Sequence, residues 1–374
     1  MDPRKVEIMW RAGWMRLIGR SLPGPRQTTL PDPRKGNYRV LFIRYERIGD
    51  MIMATSLIRV LAQATRTGKL DVLATPTTAP VLEGNPHVGN ILTLDRRSWG
   101  SYVRLMRRLR RAHYDVMVDG RINNPPVYTS TPLLMLAGGA RFRVGAGGAR
   151  NSAIYNICVP EWDRTEHYID GSKQLAIPFG IDPAKVDWQP EIFLTAGERA
   201  RAEKEWVEAV RAVSPERDDA PPPGKRLLVN LSASEKKRRW PDGKFVATLC
   251  FIRSRSPRMP MIIIGLPSEW KSVQEVASAT DAHPVATPKL RDAFALVGTA
   301  DIVFTPDTSI SHAASAFRKP SLVLLKREHK PYAPYGTPGE VISWSEPEIR
   351  QLPHERVSVA LDSVIARFGV KERT

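Results

Sequence analysis

The sequence predicts an α/β protein made of two successive domains, each with a doubly wound parallel sheet. Three observations predict this class. Short apolar runs typical of buried strands alternate with helical patterns, a charged and proline-rich segment interrupts the alternation, and the same alternation then restarts. A chain of 374 residues is long enough to bury two hydrophobic cores.

The predicted domain boundaries follow these signals along the chain. They delimit a basic N-terminal extension with a linker, a first domain, a helix with an interdomain linker, a second domain, and a C-terminal helix with a tail: 1–37, 38–196, 197–224, 225–345 and 346–374.

The N-terminal extension is predicted to form a short basic amphipathic helix. Its apolar side recurs at helical spacing, namely at Val6, Met9, Trp10, Gly13, Trp14 and Leu17. Its cations lie mostly off this stripe: Arg4, Lys5, Arg11 and Arg16. A helix of this kind lies on an anionic membrane surface, and packing on the protein's own body is the alternative. Four prolines in "SLPGPRQTTLPDPRKG" then indicate a linker.

The elements of the first domain follow in regular order. The predicted sequence is strand, helix, strand, short helix, strand, basic helix and strand: "RVLFIR", 50–64, "KLDVLAT", "TTAPVLEGN", "NILTL", "YVRLMRRLRRAHY" and "DVMVDG". A charged helix at 197–213 and the linker "SPERDDAPPPGKR" close this half.

The second domain repeats the alternation. Its predicted elements are strand, helix, strand, helix, strand, helix start and last strand: "LLVNLS", "DGKFVATLCFIRSR", "MPMIIIG", "SEWKSVQEVASA", "ADIVFTPD", "SISHAASAF" and "PSLVLL". A final helix is predicted at 353–369. Two such halves predict two Rossmann-like domains that face a cleft.

The net charge is the unusual feature of the composition. Fifty-six Lys and Arg residues against 39 Asp and Glu residues give +17, with a pI near 10.1. This balance favours a polyanionic partner, which could be nucleic acid, anionic lipid headgroups or a phosphorylated glycan. Composition does not choose among the three.

The cysteines and the apolar runs bear on the compartment. Cys158 and Cys250 lie far apart in apolar contexts, which predicts neither a disulfide framework nor a cysteine-based zinc site and fits a reducing cytoplasm. No run approaches the roughly 20 apolar residues that a spanning helix needs, and the N-terminus lacks the apolar core of a secretory signal. The sequence therefore predicts a protein that neither crosses a membrane nor is exported.

Two acidic residues stand where ligands bind in doubly wound sheets, beyond the carboxyl ends of strands. Asp50 follows the first strand of the first half, and Asp307 follows "ADIVFTP" in the second. A helix N-cap is the alternative role for each. Neither a GxGxxG fingerprint nor a P-loop occurs at these strand ends, and no HExxH, CxxC or clustered His/Asp spacing predicts a bound metal.

The stretch "RYERIGDMIMATSLIRVL" resembles the N-terminal signature of glycosyltransferase family nine, the ADP-heptose:lipopolysaccharide heptosyltransferases. The resemblance continues in order, from Tyr38 to about Asp362, through "APVLEGNPHVGNILTLD", "YDVMVDG", "EHYIDGSKQLAIPFGID", "RRWPDGKFVATL", "LRDAFALVGTADIVFTPDTSISHAASAFRKPSLVLL" and "PYGTP". It implies a GT-B fold of two Rossmann-like domains, with the acceptor bound mainly by the first and the nucleotide-sugar donor mainly by the second. It also implies inversion at the anomeric carbon without a catalytic metal or other cofactor.

The resemblance also implies roles for individual residues. Asp50 matches the general base, which removes the proton from the attacking acceptor hydroxyl, and the start of a helix there favours its ionised form. The departing diphosphate needs positive charge or N–H donors. The expected donor-binding residues are Ser234, Arg238, Glu269, Asp307, Thr308, Ser309, Ser311 and His312. The expected acceptor-binding residues are Arg47, Arg121, Asn123 and Asn124.

Two positions and two segments depart from the family pattern. In the first half, "VDGRINNPP" replaces a "DLQG"-like segment and places Arg121, Asn123 and Asn124 where an acceptor could bind. Ser309 stands where the family commonly has Gly, and Arg238 stands where it usually has Lys. After the last strand, "KREHKPYAPYG" replaces a Gly-Pro-Thr loop and brings in Lys326, Arg327 and His329. Arg can bind a phosphate with two parallel N–H groups, so we expect Arg238 to keep the role of the lysine with altered geometry.

The leading interpretation is an inverting, metal-independent enzyme that moves a heptose from ADP-heptose to a lipopolysaccharide-core-type acceptor, at the cytoplasmic face of the inner membrane. Arginines of the basic helix would face anionic lipid or core phosphates: Arg104, Arg107, Arg108, Arg110 and Arg111. One alternative keeps the fold and changes the sugar or the acceptor. A basic nucleic-acid-binding protein is another, although no RRM, KH, helix-turn-helix or zinc-finger pattern supports it. A catalytically inactive assembly factor is the third.

Overall fold

The computed structural model divides the chain into two compact units, Met1–Trp188 and Gln189–Thr374. It describes these residues: 13, 17–18, 29–31, 38–122, 130–147, 154–214, 226–233, 235–345 and 348–368. The predicted membrane-binding helix of the N-terminal extension, the linker 215–225 and the site candidates Asn123, Asn124 and Ser234 fall wholly or mostly outside this part of the chain.

The first unit is a six-stranded sheet with helices connecting its parallel strands. Its strands are β1 (Val40–Ile43), β2 (Leu70–Ala74), β3 (Val88–Thr93), β4 (Val116–Asp119), β5 (Phe142–Ala146) and β6 (Ile157–Val159). Its helices are α1 (Ile48–Ala64), α2 (Trp99–Ala112), α3 (Ser130–Ala137) and α4 (Tyr168–Ser172). The segment "TTAPVLEGN" forms a 3₁₀ turn at Ala79–Leu82 rather than the predicted short helix.

The second unit has the same architecture. Its strands are β7 (Leu227–Asn230), β8 (Met261–Ile264), β9 (His283–Pro284), β10 (Ile302–Pro306), β11 (Ser321–Lys326) and β12 (Gly339–Trp344). Its helices are α5 (Ala196–Arg211), α6 (Asp242–Arg255), α7 (Trp270–Ala279), α8 (Leu290–Thr299), α9 (Ser309–Ala316) and α10 (His354–Phe368). The prediction that "PSLVLL" is the last strand is wrong, because β12 follows it and pairs with it in parallel.

The strand orders place the functional edge of each sheet. They run β3-β2-β1-β4-β5-β6 in the first unit and β12-β11-β10-β7-β8-β9 in the second. In both units the chain starts in the middle, fills one side and then crosses to the other. The strand order therefore reverses between β1 and β4 and between β7 and β10, and such a reversal opens a crevice at the carboxyl ends of the two strands. These two points are the switch points of the sheets.

The predicted class, two Rossmann-like parallel sheets of the GT-B fold, is confirmed. The central strands are apolar runs buried on both faces, such as "VLFI" in β1 and "MIII" in β8. The units divide after Trp188, whereas the predicted first domain extended to 196. Gln189 belongs to the second unit because its buried side-chain amide donates hydrogen bonds to the carbonyl oxygens of Ser315, at 2.6 Å, and Tyr335, at 3.2 Å.

Candidate active site

In the first unit, charged side chains collect at the switch point between β1 and β4. The two strands run parallel with Ile43 opposite Asp119, so the residues that follow them leave the same edge of the sheet. Gly120, next after β4, lies tightly against Phe42, because a Cβ here would lie 2.4 Å from the ring and would force it to shift. The loop after β1 turns into α1, whose first turn carries Asp50.

Asp50 is not an N-cap. The N-cap of α1 is Arg47, in extended conformation and without a side-chain capping bond, whereas Asp50 sits inside the first turn. Its carboxylate lies 3.3 Å from a terminal guanidinium nitrogen of Arg44. The Asp50 side chain is 19% exposed and that of Arg44 only 3%, so the acid reaches solvent while the cation that holds it is buried. The helix N-terminus adds a favourable dipole for the carboxylate.

Arg44 is a buried permanent cation. Burial by itself lowers the pKa of Arg44, but Tyr168, Asp50 and Glu46 outweigh burial and raise the pKa above its ordinary value. Its guanidinium carbon lies 5.2 Å from the centroid of the Tyr168 ring, and its Nε lies 3.5 Å from Glu46. Because a buried charge is stable only beside opposite charge, Arg44 fixes the carboxylate of Asp50 at this edge.

Arg121 lies at the same edge and is also buried. It forms a two-pronged ion pair with Asp119, with Nε–Oδ1 at 2.9 Å and Nη2–Oδ2 at 2.6 Å, and its Nε is 3.4 Å from Glu46. The Tyr155 hydroxyl donates to Asp119 at 2.7 Å, and burial followed by the Asp119 charge raises the pKa of Tyr155 well above its usual range. Glu46 thus links the Arg121 pair to Arg44.

Arg47 is exposed, whereas Arg121, the other acceptor candidate that the structure describes, is buried. Arg47 has no ion-pair partner within the described residues. Of the acceptor candidates, the structure therefore brings Arg121 into a buried network that includes Arg44 and Glu46, and leaves Arg47 at the surface near Asp50.

In the second unit, the predicted donor loop lies at the switch point between β7 and β10. Thr308 is the N-cap of α9 and accepts a hydrogen bond from the Ile310 N–H at 3.2 Å. The Ser311 hydroxyl donates to the Thr308 carbonyl at 2.7 Å, and His312 is buried one residue further on. Asn230, at the end of β7, donates to Thr305 at 2.9 Å and so ties the two strand ends together. Ser309 opens the helix at the half-buried first position.

Asp307 precedes the N-cap and makes long-range contacts instead. Its carboxylate accepts a hydrogen bond from Nδ1 of His329 at 2.7 Å and lies 3.6 Å from Nη1 of Arg238. Nη2 of Arg238 lies 3.4 Å from Nε2 of His329 and 3.1 Å from Glu235. The side chains of Arg238 and Asp307 are both 13% exposed. Residues from three separate segments thus meet beyond β10.

The motif "RRWP" explains how Arg238 reaches this edge. Trp240 is fully buried, packs edge-on against Phe245 at a centroid distance of 5.0 Å, and donates its indole N–H to the Leu352 carbonyl at 3.2 Å. Pro241 is the N-cap of α6. The indole and the helix start fix the turn, so Arg238 must lie at the carboxyl end of β7.

Glu269 lies beyond the neighbouring strand, β8. Its carboxylate accepts hydrogen bonds from the Ser232 hydroxyl and from the Leu266 N–H, the latter at 3.3 Å. Arg239 pairs with its other oxygen at 3.0 Å. The carboxylate is held in one orientation at the same edge of the sheet as the donor loop.

The comparison with protein families decides the identity of the chain. The model of glycosyltransferase family 9 (heptosyltransferase) matches residues 102–351, which is well over half of the sequence. The chain belongs to glycosyltransferase family 9. It is therefore a glycosyltransferase, although the matched range begins after Asp50 and does not itself include that residue.

Individual members of the family are distant in sequence and similar in fold. Lipopolysaccharide heptosyltransferase 3 of Escherichia coli K12 is 21% identical over 289 residues, 74% of this chain and 79% of its own length. A family 9 structure from Veillonella parvula superposes with a TM-score of 0.75 at 15% identity, over 91% of this chain and all of its own. ADP-heptose lipopolysaccharide heptosyltransferase II of E. coli has a TM-score of 0.68 at 18% identity, over 88% and 99%.

The described part of this family 9 enzyme contains neither a cluster of metal ligands nor a membrane-spanning helix. Within the described ranges, no three His, Cys, Asp or Glu side chains come together as a metal site, and no helix has the length and apolarity to span a bilayer. A more distant E. coli glycosyltransferase, with a TM-score of 0.50 at 11% identity over 91% of this chain and 78% of its own, is described as iron-containing.

Sequence reasoning missed the residues that support the site. Arg44, Glu46 and Asp119 were not singled out, although a cation directly after the apolar run "VLFI" is a usable signal. A charged side chain at the end of a buried strand must be paired if it stays buried. Sequence analysis named His329 only as a residue of the segment that replaces the Gly-Pro-Thr loop, and its contacts with Asp307 and Arg238 had no local signal.

Proposed function

We propose that this family 9 enzyme transfers a heptose from ADP-heptose to a lipopolysaccharide-core-type acceptor, with inversion at the anomeric carbon. The observation that carries the proposal is Asp50, a solvent-reaching carboxylate fixed at a strand end by the buried Arg44. A general base must be ionised, accessible and held in place.

The chemistry assigned to Asp50 is removal of one proton. The acceptor hydroxyl loses its proton to the carboxylate while its oxygen attacks the anomeric carbon from the face opposite the leaving group. The bond between that carbon and the diphosphate oxygen breaks, and the electron pair departs with the diphosphate. Asp50 therefore belongs to acceptor activation, and its loss should leave donor binding intact.

The donor is assigned to the second unit. A diphosphate that gains negative charge needs N–H donors and cations, and the start of α9 together with Arg238 offers both. Glu269 is the residue assigned to the ribose hydroxyls, because a fixed carboxylate can accept their hydrogen bonds. The name of the E. coli heptosyltransferase II, which includes ADP-heptose, supports this donor. We propose that these groups suffice without a catalytic metal.

The acceptor is assigned to the first unit, with the exposed Arg47 near Asp50. Helix α2 supports contact with an anionic glycolipid surface. It buries Ser101, Leu105 and Leu109 and contains no acidic residue. Its exposed side carries five arginines: Arg104, Arg107, Arg108, Arg110 and Arg111. Trp99, at its start, is 81% exposed, and tryptophan favours membrane interfaces. We place the enzyme at the cytoplasmic face of the inner membrane.

Two residues at the donor site favour a second candidate, a nucleotide sugar other than ADP-heptose. Ser309 occupies the first position of α9, where its side chain takes room beside the backbone, and His329 reaches the donor loop from the segment after β11. Either residue could favour another nucleotide sugar.

Calorimetric titration of the full chain with ADP, UDP, GDP and CDP tests the donor assignment. Each titration is run in a chelator and again with Mg²⁺ and with Fe²⁺. Selective binding of ADP in the chelator supports the proposal. Selective binding of another nucleotide supports the second donor, and strict dependence on a metal contradicts the metal-independent mechanism. If no nucleotide binds, a further titration with bulk RNA is made, and salt-dependent binding there favours the nucleic-acid-binding alternative.

A further inference from the structure

The imidazole of His329 contacts two charged side chains, Asp307 of the loop after β10 and Arg238 of the turn after β7, and only one protonation state satisfies both contacts. Its Nδ1 lies 2.7 Å from the Asp307 carboxylate, which can only accept, so Nδ1 carries the hydrogen. Its Nε2 lies 3.4 Å from Nη2 of Arg238, which can only donate, so Nε2 presents its lone pair. The geometry fits a neutral imidazole that bridges an acid and a cation.

Arg238 keeps hydrogen-bonding capacity after these contacts. Nη2 is directed to Glu235 and His329, at 3.1 and 3.4 Å. Nη1 lies 3.6 Å from Asp307, which is longer than a hydrogen bond. Nε is buried, and no acceptor for it lies within the described residues. The guanidinium is thus held through Nη2, while Nη1 retains N–H groups that a phosphate could accept.

Two of the departures from the family pattern therefore touch each other. Arg238 stands where the resemblance leads us to expect Lys, and His329 stands in the segment that replaces a Gly-Pro-Thr loop, 91 positions away. An ammonium can donate in any direction as it rotates, whereas a planar guanidinium binds phosphate well only in a fixed orientation. Arg238, whose orientation matters for phosphate binding, therefore contacts a side chain that can fix this orientation, His329.

We propose that His329 is a positioning residue for the nucleoside diphosphate: it holds Arg238 in the orientation that receives the diphosphate, while Asp307 holds the imidazole. This inference rests on the proposed donor function of the second unit. Within the part of the chain that the structure describes, the charged partners of the Arg238 side chain are the carboxylates of Asp307 and Glu235. Without His329, we expect the existing ion pair of Arg238 with Asp307, now at 3.6 Å, to shorten to hydrogen-bond distance and to compete with the phosphate.

The expected effect is a loss of ADP affinity. A hydrogen bond to a charged group contributes enough that removing it should weaken ADP binding by about ten-fold or more in His329→Ala. Two polar variants separate the two sides of the ring. Gln places an oxygen near the position of Nε2 and can accept from Arg238, whereas Asn can donate to Asp307 and is too short to reach Arg238. His329→Gln should therefore bind ADP more tightly than His329→Asn.

A double-mutant cycle on ADP titrations provides the decisive test. The cycle compares the wild type with Arg238→Lys, His329→Ala and the double variant, because a lysine needs no orienting partner. We expect the effect of His329→Ala to disappear in the Arg238→Lys background. His283→Ala is the control, since His283 pairs with Glu205 at 2.9 Å in the same unit and should leave ADP affinity unchanged.

The outcomes distinguish a failure of this inference from a failure of the proposed function on which it rests. If the wild type binds no nucleoside diphosphate, the proposed function and the inference fail together. If the wild type binds ADP but the two losses add, or Asn and Gln behave alike, His329 acts without Arg238 and the inference alone is overturned. Unfolding curves of each variant identify losses caused by misfolding, and in that case the Gln and Asn pair decides.

Discussion

Acid sensitivity of the second unit should come largely from one buried ion pair, Glu198 with Arg291. Glu198 lies in the first turn of α5, where it forms a capping box with Thr195. Arg291, in α8, pairs with both oxygens of Glu198, with Nη2–Oε2 at 2.7 Å, and donates to the Phe193 carbonyl at 2.6 Å. Both side chains are buried, so solvent screens the pair little.

The hydrogen bond from Arg291 lowers the pKa of Glu198 from an ordinary value of 4.5 to about 2. A carboxyl with a depressed folded-state pKa stabilises the protein fully above the unfolded pKa and loses that contribution as the pH falls toward the folded value. A fall from 4.5 to about 2 corresponds to about 3 kcal/mol at neutral pH and to about 1 kcal/mol at pH 3.

The perturbation is Glu198→Gln, and the assay is urea unfolding at pH 7 and at pH 3. We expect the variant to be less stable than the wild type by about 3 kcal/mol at pH 7 and by about 1 kcal/mol at pH 3. Glu208→Gln is the matched control, because Glu208 sits on the same helix in an exposed pair with Arg211. An equal deficit at both pH values would refute the reasoning, since the loss would then not involve the charge of Glu198.

Three further predictions concern the first unit. Asp50→Asn should lower transfer by about 10²- to 10⁴-fold and leave ADP affinity unchanged, measured by product formation and calorimetry; equal loss in the exposed control Asp182→Asn would contradict the base assignment. Gly120→Ala should lower the free energy of unfolding by about 1–3 kcal/mol, because the Cβ would meet Phe42, whereas Gly243→Ala has open space and should not. Reversing charge on α2 with Arg107→Glu and Arg111→Glu together should weaken flotation with anionic vesicles but not with neutral ones; a similar loss in the α5 control, Arg199→Glu with Arg201→Glu, would indicate only a net-charge effect.

The central strands were predictable from sequence, and so was the edge strand β3, predicted as "NILTL", whereas the edge strands β6, β9 and β12 were not. Strands β1, β4, β7, β8 and β10 are buried on both faces, so they appear as continuous apolar runs. At the other sheet edges, continuous apolar runs do not mark the strands. Strand β12 is mostly half-buried and mixes polar with apolar residues, and β6 has only three residues. Their place is set by pairing with a neighbouring strand, which leaves no local pattern.

In the candidate site, too, the features with a local sequence pattern were predictable and those set by long-range contacts were not. Asp50 and Asp307 were identifiable because topology puts strand ends and helix starts at one edge. The N-cap alternative could be resolved only by structure: Thr308 caps α9, and Asp307 turns to His329 instead. The contact of His329 with Arg238 joins segments far apart in sequence, and no periodicity or spacing encodes the direction of a side chain across such a distance.

An ion pair between an arginine and an aspartate lies at each switch point, but the partner that remains available to a ligand differs. Beyond β1, the cation Arg44 is the buried member and the carboxylate of Asp50 reaches solvent, which leaves a negative charge available to remove a proton. Beyond β7 and β10, Arg238 stands among Asp307, Glu235 and the imidazole of His329, and Nη1 of this cation lies 3.6 Å from Asp307, beyond hydrogen-bond distance. Under the proposed function, the two sheets, which share one strand order, serve the acceptor and the donor of one transfer reaction. The available partner is the acid in the first unit, where we propose that a proton is removed. It is the cation in the second unit, where we propose that a phosphate is bound.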